Sequence, residues 1–328
     1  GSDTLRFTGN VTLGAAGLTM TGVEILDMGG RTLTVQGTTA LDLSALALLN
    51  GGMIAGDAAA NSIIGTQGAD ILSGEAGADL LNGGEGDDTF EASGTELTGD
   101  SIDGGAGSDT LRLTGNVTLG AAGFTMTGVE ILDMGGRTLT VQGATALDLS
   151  ALALLNGGKI VGDNTANAIT GTTGADVIDG KNGNDSLRGG EGNDTLYGNG
   201  GSDVIAGGSG NDVLYGGGGN SADNAADTFV FDSALDAAIN VDVIYAFEAD
   251  AKDKIALDPA IFAALLGGAT SGIDAGEFFA SAGGNALDAD DYLLYDTTTG
   301  NLYFDADGSG AGAKVLFEDA VRYARDHG

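Results

Sequence analysis

Short apolar runs, interrupted by glycine every few residues, extend along most of the chain. Residues 32–35, TLTV, alternate polar and apolar side chains with a period of two, which is typical of half-buried β-strands. Helices are disfavoured there because glycine destabilises a helix interior. Residues 44–49 could form a helical turn, but we favour a strand inside a stacked coil. The pattern predicts an all-β chain of brief strands and tight turns.

The chain also contains a long internal duplication. Residues 2–54 align without a gap with residues 108–160 at an offset of 106, and only four positions differ. Repetition at a fixed period is typical of solenoids, in which each unit packs against its neighbours. The duplication therefore indicates a modular, stacked architecture.

A second period of nine residues follows each copy. From residue 171 the chain reads GTTGADVID, GKNGNDSLR, GGEGNDTLY, GNGGSDVIA and GGSGNDVLY, ending at residue 215, and a sixth unit begins at residue 216. Looser units occupy residues 65–73, 74–82, 83–91 and 104–112. Degenerate leading units at 56–64 and 162–170 carry Asn61 and Asn167 in place of the aspartate.

Each nonapeptide divides into a turn and a strand. Six glycine-rich residues ending in Asp suit a turn, and three residues with a central apolar side chain suit a short strand. Two nonapeptides then complete one coil, and the coils stack into two parallel sheets. Turns 18 residues apart lie in register along one edge, where carbonyls and aspartates can surround a hard cation with about six oxygens, as Ca²⁺ prefers.

Charge and core size favour a metal-dependent fold. The chain has 47 acidic against 12 basic residues and a formal net charge of −35, which disfavours nucleic acid and anionic membranes as partners. It has no cysteine and one histidine, His327, so we predict no disulfide, thiolate zinc site, histidine-based triad or other catalytic residue. No apolar stretch approaches the length of a membrane span. Because each strand buries one large side chain, folding and metal binding should be coupled.

The unit at residues 189–197, GGEGNDTLY, matches the repeat GGxGxDxUx, where U is a large apolar residue. The array resembles the RTX (repeats-in-toxin, haemolysin-type calcium-binding nonapeptide) family over two blocks, roughly a third of the chain. The resemblance implies a right-handed parallel β-roll or β-helix solenoid with Ca²⁺ in its turns. It also implies export by a type I secretion machinery.

The resemblance further implies a set of calcium ligands. One turn supplies the carbonyls of repeat positions 2 and 4 and its Asp; the turn 18 residues later supplies the carbonyls of positions 1 and 3 and its Asp. In the second block these pairs are Thr172, Gly174 and Asp176 with Gly189, Glu191 and Asp194; Lys181, Gly183 and Asp185 with Gly198, Gly200 and Asp203; and Gly190, Gly192 and Asp194 with Gly207, Ser209 and Asp212. In the first block Thr66, Gly68 and Asp70 pair with Gly83, Glu85 and Asp88, while Asp79, Asp109 and Asp227 occupy the aspartate position of further units.

Residues 227–328 resemble the C-terminal cap and secretion domain of serralysin-type RTX proteases and lipases. Strands are predicted at 227–231, 253–257, 292–295 and 302–304, and Asp258-Pro259 should open a short helix ending at Gly267. A second helix is predicted from a capping box at Asp274 to Glu277. Asp305 to Gly308 is predicted to form a hairpin turn, because Leu316 replaces the glutamate that an EF-hand loop needs.

These observations predict a solenoid closed by a β-rich cap with short helices. Its five predicted segments are a metal-poor β-helical copy (1–55), a first RTX block (56–112), a second metal-poor copy (113–161), a second RTX block (162–226) and the cap (227–328). The predicted function is a secreted, non-catalytic calcium-binding module, at the C-terminal end of a larger adhesin, surface-layer protein or exported enzyme of a Gram-negative-type bacterium. Cell-surface polysaccharide and self-association are its candidate partners besides Ca²⁺. The alternative is a polysaccharide lyase or epimerase, or its accessory module.

Overall fold

The computed structural model describes residues 1–14, 18, 20–38, 40–144, 146–218, 223–248, 253–266, 277–288, 290–308, 314–319 and 322–323. These residues form short strands and one 3-10 helix, Ala263–Leu266, which confirms the all-β class. The strands are β1 Thr4–Arg6, β2 Val11–Leu13, β3 Ile25–Asp27, β4 Thr32–Val35, β5 Ala40–Asp42, β6 Ala47–Leu49, β7 Met53–Ala55, β8 Ser62–Ile64, β9 Ile71–Ser73, β10 Leu80–Glu85, β11 Thr89–Gly94, β12 Ser101–Ala106, β13 Thr110–Leu119, β14 Thr125–Thr127, β15 Ile131–Asp133, β16 Thr138–Val141, β17 Ala146–Asp148, β18 Ala153–Leu155, β19 Lys159–Val161, β20 Ala168–Thr170, β21 Val177–Asp179, β22 Ser186–Glu191, β23 Thr195–Tyr197, β24 Val204–Ser209, β25 Val213–Tyr215, β26 Thr228–Phe231, β27 Val243–Phe247, β28 Lys254–Leu257, β29 Phe278–Ser281, β30 Leu293–Asp296, β31 Leu302–Phe304, β32 Val315–Glu318 and β33 Arg322–Tyr323.

The chain divides into two compact units. The first comprises Gly1–Thr145 and Ala151–Lys159, and the second comprises Ala146–Ser150 and Ile160–Gly328. Each unit contains stacked parallel strands, as the predicted solenoid requires.

In the first unit, the duplicated segment has three strands in each coil. Strands β3, β4 and β5 make one coil and β6, β7 and β8 the next. Their central residues pair in parallel at Leu26↔Leu48, Leu33↔Ile54 and Leu41↔Ile63, so one coil takes 21 or 22 residues. Leu26, Leu33 and Leu41 are all buried. The duplicated segment is therefore a three-sheet β-helix with an apolar residue from each sheet in its core.

The nonapeptide blocks have two strands in each coil. In the first unit Ile63 pairs with Leu81 and Leu72 with Phe90, in both cases 18 residues apart. The second unit repeats this spacing at Ile169↔Leu187, Ile178↔Leu196, Leu187↔Ile205 and Leu196↔Leu214. The 18-residue coil and its two parallel sheets are thus as predicted.

The second unit continues both sheets of the roll beyond residue 226. Strand β26 pairs with β24, β28 with β26, and β27 with β25, all in parallel. The last described strand, β33, pairs in parallel with β27. Strands β29 to β32 form a separate four-stranded sheet.

The described part of residues 227–328 contains less helix than the sequence predicted. Asp258 caps the turn as expected, since its Oδ1 accepts the N–H of Ala260 at 2.6 Å, but the helix that follows is only the 3-10 turn Ala263–Leu266. Phe262 and Leu265 are both buried, and three residues per turn place such a pair on one face. Gly267 and residues 274–276 of the second predicted helix lie outside the described residues.

Asp305 to Gly308 begin the connection between the antiparallel strands β31 and β32, and residues 309–313 of this connection lie outside the described residues. Tyr303 of β31 pairs with Leu316 of β32. The hairpin prediction is therefore confirmed.

His327 lies outside the described residues. Among the helices that the structure describes, none is long and apolar enough to cross a membrane.

Candidate calcium-binding turns

The repeat aspartates of the second unit form two ladders, one on each edge of the roll. On one edge the N–H of Asp176 donates to Oδ1 of Asp194 at 2.8 Å, and Asp194 donates in the same way to Asp212 at 2.8 Å. On the other edge Asp185 donates to Asp203 at 2.7 Å, and Asp203 donates to Asp227 at 2.9 Å. All are buried. The insertion before Asp227 therefore leaves this residue in register.

The first unit contains the same arrangement. Asp70 donates its N–H to Oδ1 of Asp88, and Asp88 to Oδ1 of Asp109, both at 2.7 Å. On the opposite edge the N–H of Asn61 donates to Oδ1 of Asp79 at 2.6 Å. The predicted aspartates are thus brought together coil on coil.

The ladder carboxylates keep one oxygen that the protein does not satisfy. Among the described residues, these buried oxygens without a hydrogen-bond partner belong to Asp70 (Oδ1) and, through Oδ2, to Asp79, Asp88, Asp109, Asp185, Asp194, Asp203 and Asp212. A buried carboxylate oxygen without a partner is costly, and native structures rarely keep one without a ligand.

The unsatisfied oxygens lie beside the first glycine of each repeat. A Cβ added at Gly74 would stand 2.6 Å from Oδ2 of Asp79, and one at Gly104 would stand 2.6 Å from Oδ2 of Asp109. At Gly189, a Cβ would overlap Oδ2 of Asp194 and the carbonyl oxygen of Gly207 in the next coil. Carboxylate and carbonyl oxygens therefore converge beside these glycines, in a space that the Cβ of any other residue would fill.

Glycines at repeat positions 2 and 4 give the turn its shape. Gly190 and Gly192 have φ of 119° and 110°, a conformation that side chains rarely tolerate. Lys181 adopts a left-handed φ of 78° at position 2, where its Nζ contacts Oδ2 of Asp179 at 2.8 Å. Of the remaining predicted ligands, Gly83 and Glu85 lie in β10, Glu191 in β22 and Ser209 in β24, whereas Gly183, Gly198 and Gly200 lie between strands.

Burial raises the pKa of the ladder carboxyls. Desolvation is the largest cause and repulsion from neighbouring carboxylates adds to it, so that the pKa reaches about 8 in Asp194 and Asp203 and about 7 in Asp88. Ca²⁺ would supply the missing positive charge, and the donor set, all oxygen, is the one that it prefers. Because no three acidic or histidine side chains of the described residues cluster as a metal site, backbone carbonyls would have to complete each site.

Two predicted ligands have a partner within their own turn. The N–H and Oγ1 of Thr66 donate to Oδ2 of Asp70 at 2.6 and 2.9 Å, and Thr172 makes the same two bonds to Asp176. In these turns one carboxylate oxygen is satisfied by the protein.

The ladders also contain three aspartates that the sequence reading missed. Asp79 donates its N–H to Asp100 at 2.9 Å, Asp212 to Asp242 at 3.1 Å, and Asp227 to Asp253 at 3.0 Å. Each begins a triplet of Asp, any residue and Ile, which matches the last turn residue and the first two strand residues of the repeat. The turns before them lack the glycine pattern, so only this triplet could have revealed them.

Comparison with known protein families supports the calcium assignment. The model of the RTX calcium-binding nonapeptide repeat matches four segments, residues 55–90, 99–115, 161–196 and 197–220. No curated protein matches the chain. Together with the stacked turns, the matches show that the chain carries calcium-binding nonapeptide repeats of the RTX family, which bind Ca²⁺ at several sites.

Proposed function

We propose that this chain is a secreted module whose rolls fold outside the cell when Ca²⁺ binds. It would form the C-terminal part of a larger adhesin, surface-layer protein or exported enzyme that uses type I secretion. The observation that carries the proposal is the row of buried, unpartnered carboxylate oxygens beside the repeat glycines. Without a cation, these charges oppose folding.

Calcium concentration would confine folding to the outside of the cell. Extracellular calcium modules bind at roughly 10⁻⁴–10⁻³ M, so the sites would be nearly empty in the cytosol. With a formal net charge of −35, the chain without calcium also repels itself and stays open. Export of an unfolded chain followed by folding in calcium-rich medium fits both properties.

The duplicated segments serve best as a spacer or an adhesive array. Two of their four arginines are engaged in ion pairs between coils: Arg6 Nε lies 2.6 Å from Asp27 Oδ2, and Arg112 contacts both Glu91 and Asp133. These pairs occupy two of the few basic groups that a lyase or epimerase could use. We propose the boundaries 1–55, 56–112, 113–161, 162–226 and 227–328 for the modules, supported in the first unit by the change from 22-residue to 18-residue coils near Ile63.

The stacked tyrosines of the second roll argue against a sugar platform there. Tyr197, Tyr215 and Tyr245 stack with ring centroids 4.6 and 5.0 Å apart, so most ring faces cover one another. A sugar ring stacks on an exposed aromatic face. Polysaccharide binding is therefore a weaker candidate than self-association for this surface.

Far-ultraviolet circular dichroism of the full chain tests the proposal. Spectra would be recorded with a chelator, with Mg²⁺, and over a Ca²⁺ titration. We expect a gain of β-signal that Ca²⁺ produces at millimolar levels and that Mg²⁺, which demands a tighter octahedral site, does not. A spectrum unchanged by Ca²⁺ would refute the proposal.

A further inference from the structure

The first turn of each roll contains asparagine where later turns contain aspartate. In the first unit the N–H of Asp57 donates to Oδ1 of Asn61 at 2.8 Å, and Nδ2 of Asn61 donates to the carbonyl of Gly37 at 2.6 Å. In the second unit the N–H of Asp163 donates to Oδ1 of Asn167 at 2.9 Å. A neutral amide thus satisfies the turn with both its oxygen and its nitrogen, and no charge is buried.

The first turn on the opposite edge is closed by threonine. Thr66 and Thr172 each donate an N–H and a hydroxyl to Oδ2 of the aspartate in their own turn, at 2.6 and 2.9 Å. In Asp88 and Asp194 of the following turns Oδ2 has no partner, and in Asp70 the oxygen without a partner is Oδ1. The two rolls thus share this device although many of their other residues differ.

The backbone of these opening turns also differs from that of later ones. Gly183 and Gly192 at repeat position 4 have φ of 129° and 110°, whereas Gly68 and Gly174 at the same position do not have positive φ. In the first unit the opening turn continues the hydrogen bonding of the duplicated segment, since Gln67 donates its N–H to the carbonyl of Leu46 at 2.9 Å. The turn is thus built as an extension of the β-helix.

We propose that the first turn on each edge of both rolls is closed by Asn or Thr in place of calcium, so that each roll starts from a coil that stays folded when calcium is removed. This inference rests on the proposed function, in which calcium orders the later turns. The opening turns present Asp70 and Asp176 to the next coil, which calcium would order.

Hydrogen exchange of the full chain, read by mass spectrometry with chelator and with Ca²⁺, tests this order. In chelator, peptides covering residues 56–70 and 162–176 should exchange about tenfold or more slowly than peptides covering 189–212. Ca²⁺ should then protect residues 189–212 strongly and the opening turns only slightly. Opening turns that exchange as fast as residues 189–212 in chelator would overturn the inference while leaving the proposed function intact. If Ca²⁺ does not slow the hydrogen exchange of residues 189–212, the proposed function itself is refuted.

A matched pair of variants tests the threonine hydroxyls themselves. Thr66→Val with Thr172→Val removes both hydroxyls at nearly constant volume, and Thr89→Val with Thr195→Val removes two strand threonines from equivalent places in the two rolls. The first variant should lose about tenfold protection at residues 56–70 and 162–176 in chelator, whereas the control should match the parent. Equal behaviour of the two variants would count against closure of these turns by threonine.

Discussion

The duplicated β-helix and the nonapeptide roll stack parallel strands in the same way but neutralise their buried acids differently. In the β-helix, Asp27 is buried against Arg6 and accepts a hydrogen bond from Asn50 at 3.1 Å. In the roll, Asp194 lies between Asp176 and Asp212, and one of its oxygens has no partner. The β-helix also has a third strand in each coil to enlarge its core. The comparison indicates how a solenoid can have a smaller apolar core and no basic partner for its buried acids. A bound metal ion would supply both the missing stability and the missing positive charge.

The largest expected effect on calcium affinity comes from two neighbouring aspartates of one turn. Asp88→Asn removes a ladder carboxyl, and Asp87→Asn removes an exposed one with the same change in net charge. The first variant should raise the Ca²⁺ concentration needed to order residues 83–112 by about tenfold or more, about 1.4 kcal/mol, because Asp88 belongs to the ladder between two coils. The second should leave it nearly unchanged. Calcium titration followed by hydrogen exchange measures both.

In chelator the order of these two variants should reverse. Burial raises the pKa of Asp88 to about 7, so its charge opposes folding of the metal-free roll, and Asp88→Asn should be as stable as the parent or more stable. An Asp88→Asn variant weakened equally with and without Ca²⁺ would mean that the carboxyl has only a packing role.

Two glycines, one in the roll and one in the β-helix, differ in the space that is available for an added Cβ. A Cβ at Gly189 overlaps Oδ2 of Asp194 and the carbonyl of Gly207, so Gly189→Ala should destabilise the calcium-bound roll by about 1–3 kcal/mol. Gly9 in the β-helix has open space where its Cβ would lie, and Gly9→Ala should change stability by less than about 0.5 kcal/mol. Thermal unfolding in excess Ca²⁺ measures the difference. Similar shifts in both variants would contradict a preformed oxygen cluster at Gly189.

Acid should act on the two regions with opposite sign when calcium is absent. Burial raises the pKa of Asp194 and Asp203 to about 8, so the folded roll binds more protons than the unfolded chain, and its stability rises as pH falls from about 8 towards 5. Hydrogen bonds from Asn50 and Arg6 lower the pKa of Asp27, so this residue stabilises the β-helix above the unfolded pKa and stops doing so only in stronger acid. Hydrogen exchange in chelator at several pH values checks this. A roll that loses protection between pH 8 and 5 would contradict it.

The smallest effect is expected at a surface ion pair of the second unit. Both terminal nitrogens of the Arg188 guanidinium contact the carboxylate of Asp232 on an exposed surface, Nη1 at 3.2 Å from Oδ1. Exposed pairs contribute at most about 1 kcal/mol, so Arg188→Ala should change unfolding only slightly and leave the number of bound Ca²⁺ ions unchanged. Loss of a bound ion in this variant would link the outer surface to the turns.

The sequence predicted the roll better than its ends. The 18-residue spacing and the registered aspartates follow from the nine-residue period, because a parallel coil must place equal repeat positions above one another. Asp100, Asp242 and Asp253 were missed because their turns contain other residues, and the stacking of whole coils keeps them in register across 21, 30 and 26 residues. The 3-10 turn at Ala263–Leu266 could not be told from a short α-helix, since tertiary burial of Phe262 and Leu265 decides between them.

An anomalous difference map from crystals grown with Ca²⁺ tests the central claim most directly. The account predicts calcium peaks between turns that follow the opening turns and lie 18 residues apart, first of all between residues 189–194 and 207–212, and none within residues 1–55 or 113–161. Peaks confined to the acidic loops of the cap, or turns without calcium at millimolar concentration, would contradict it.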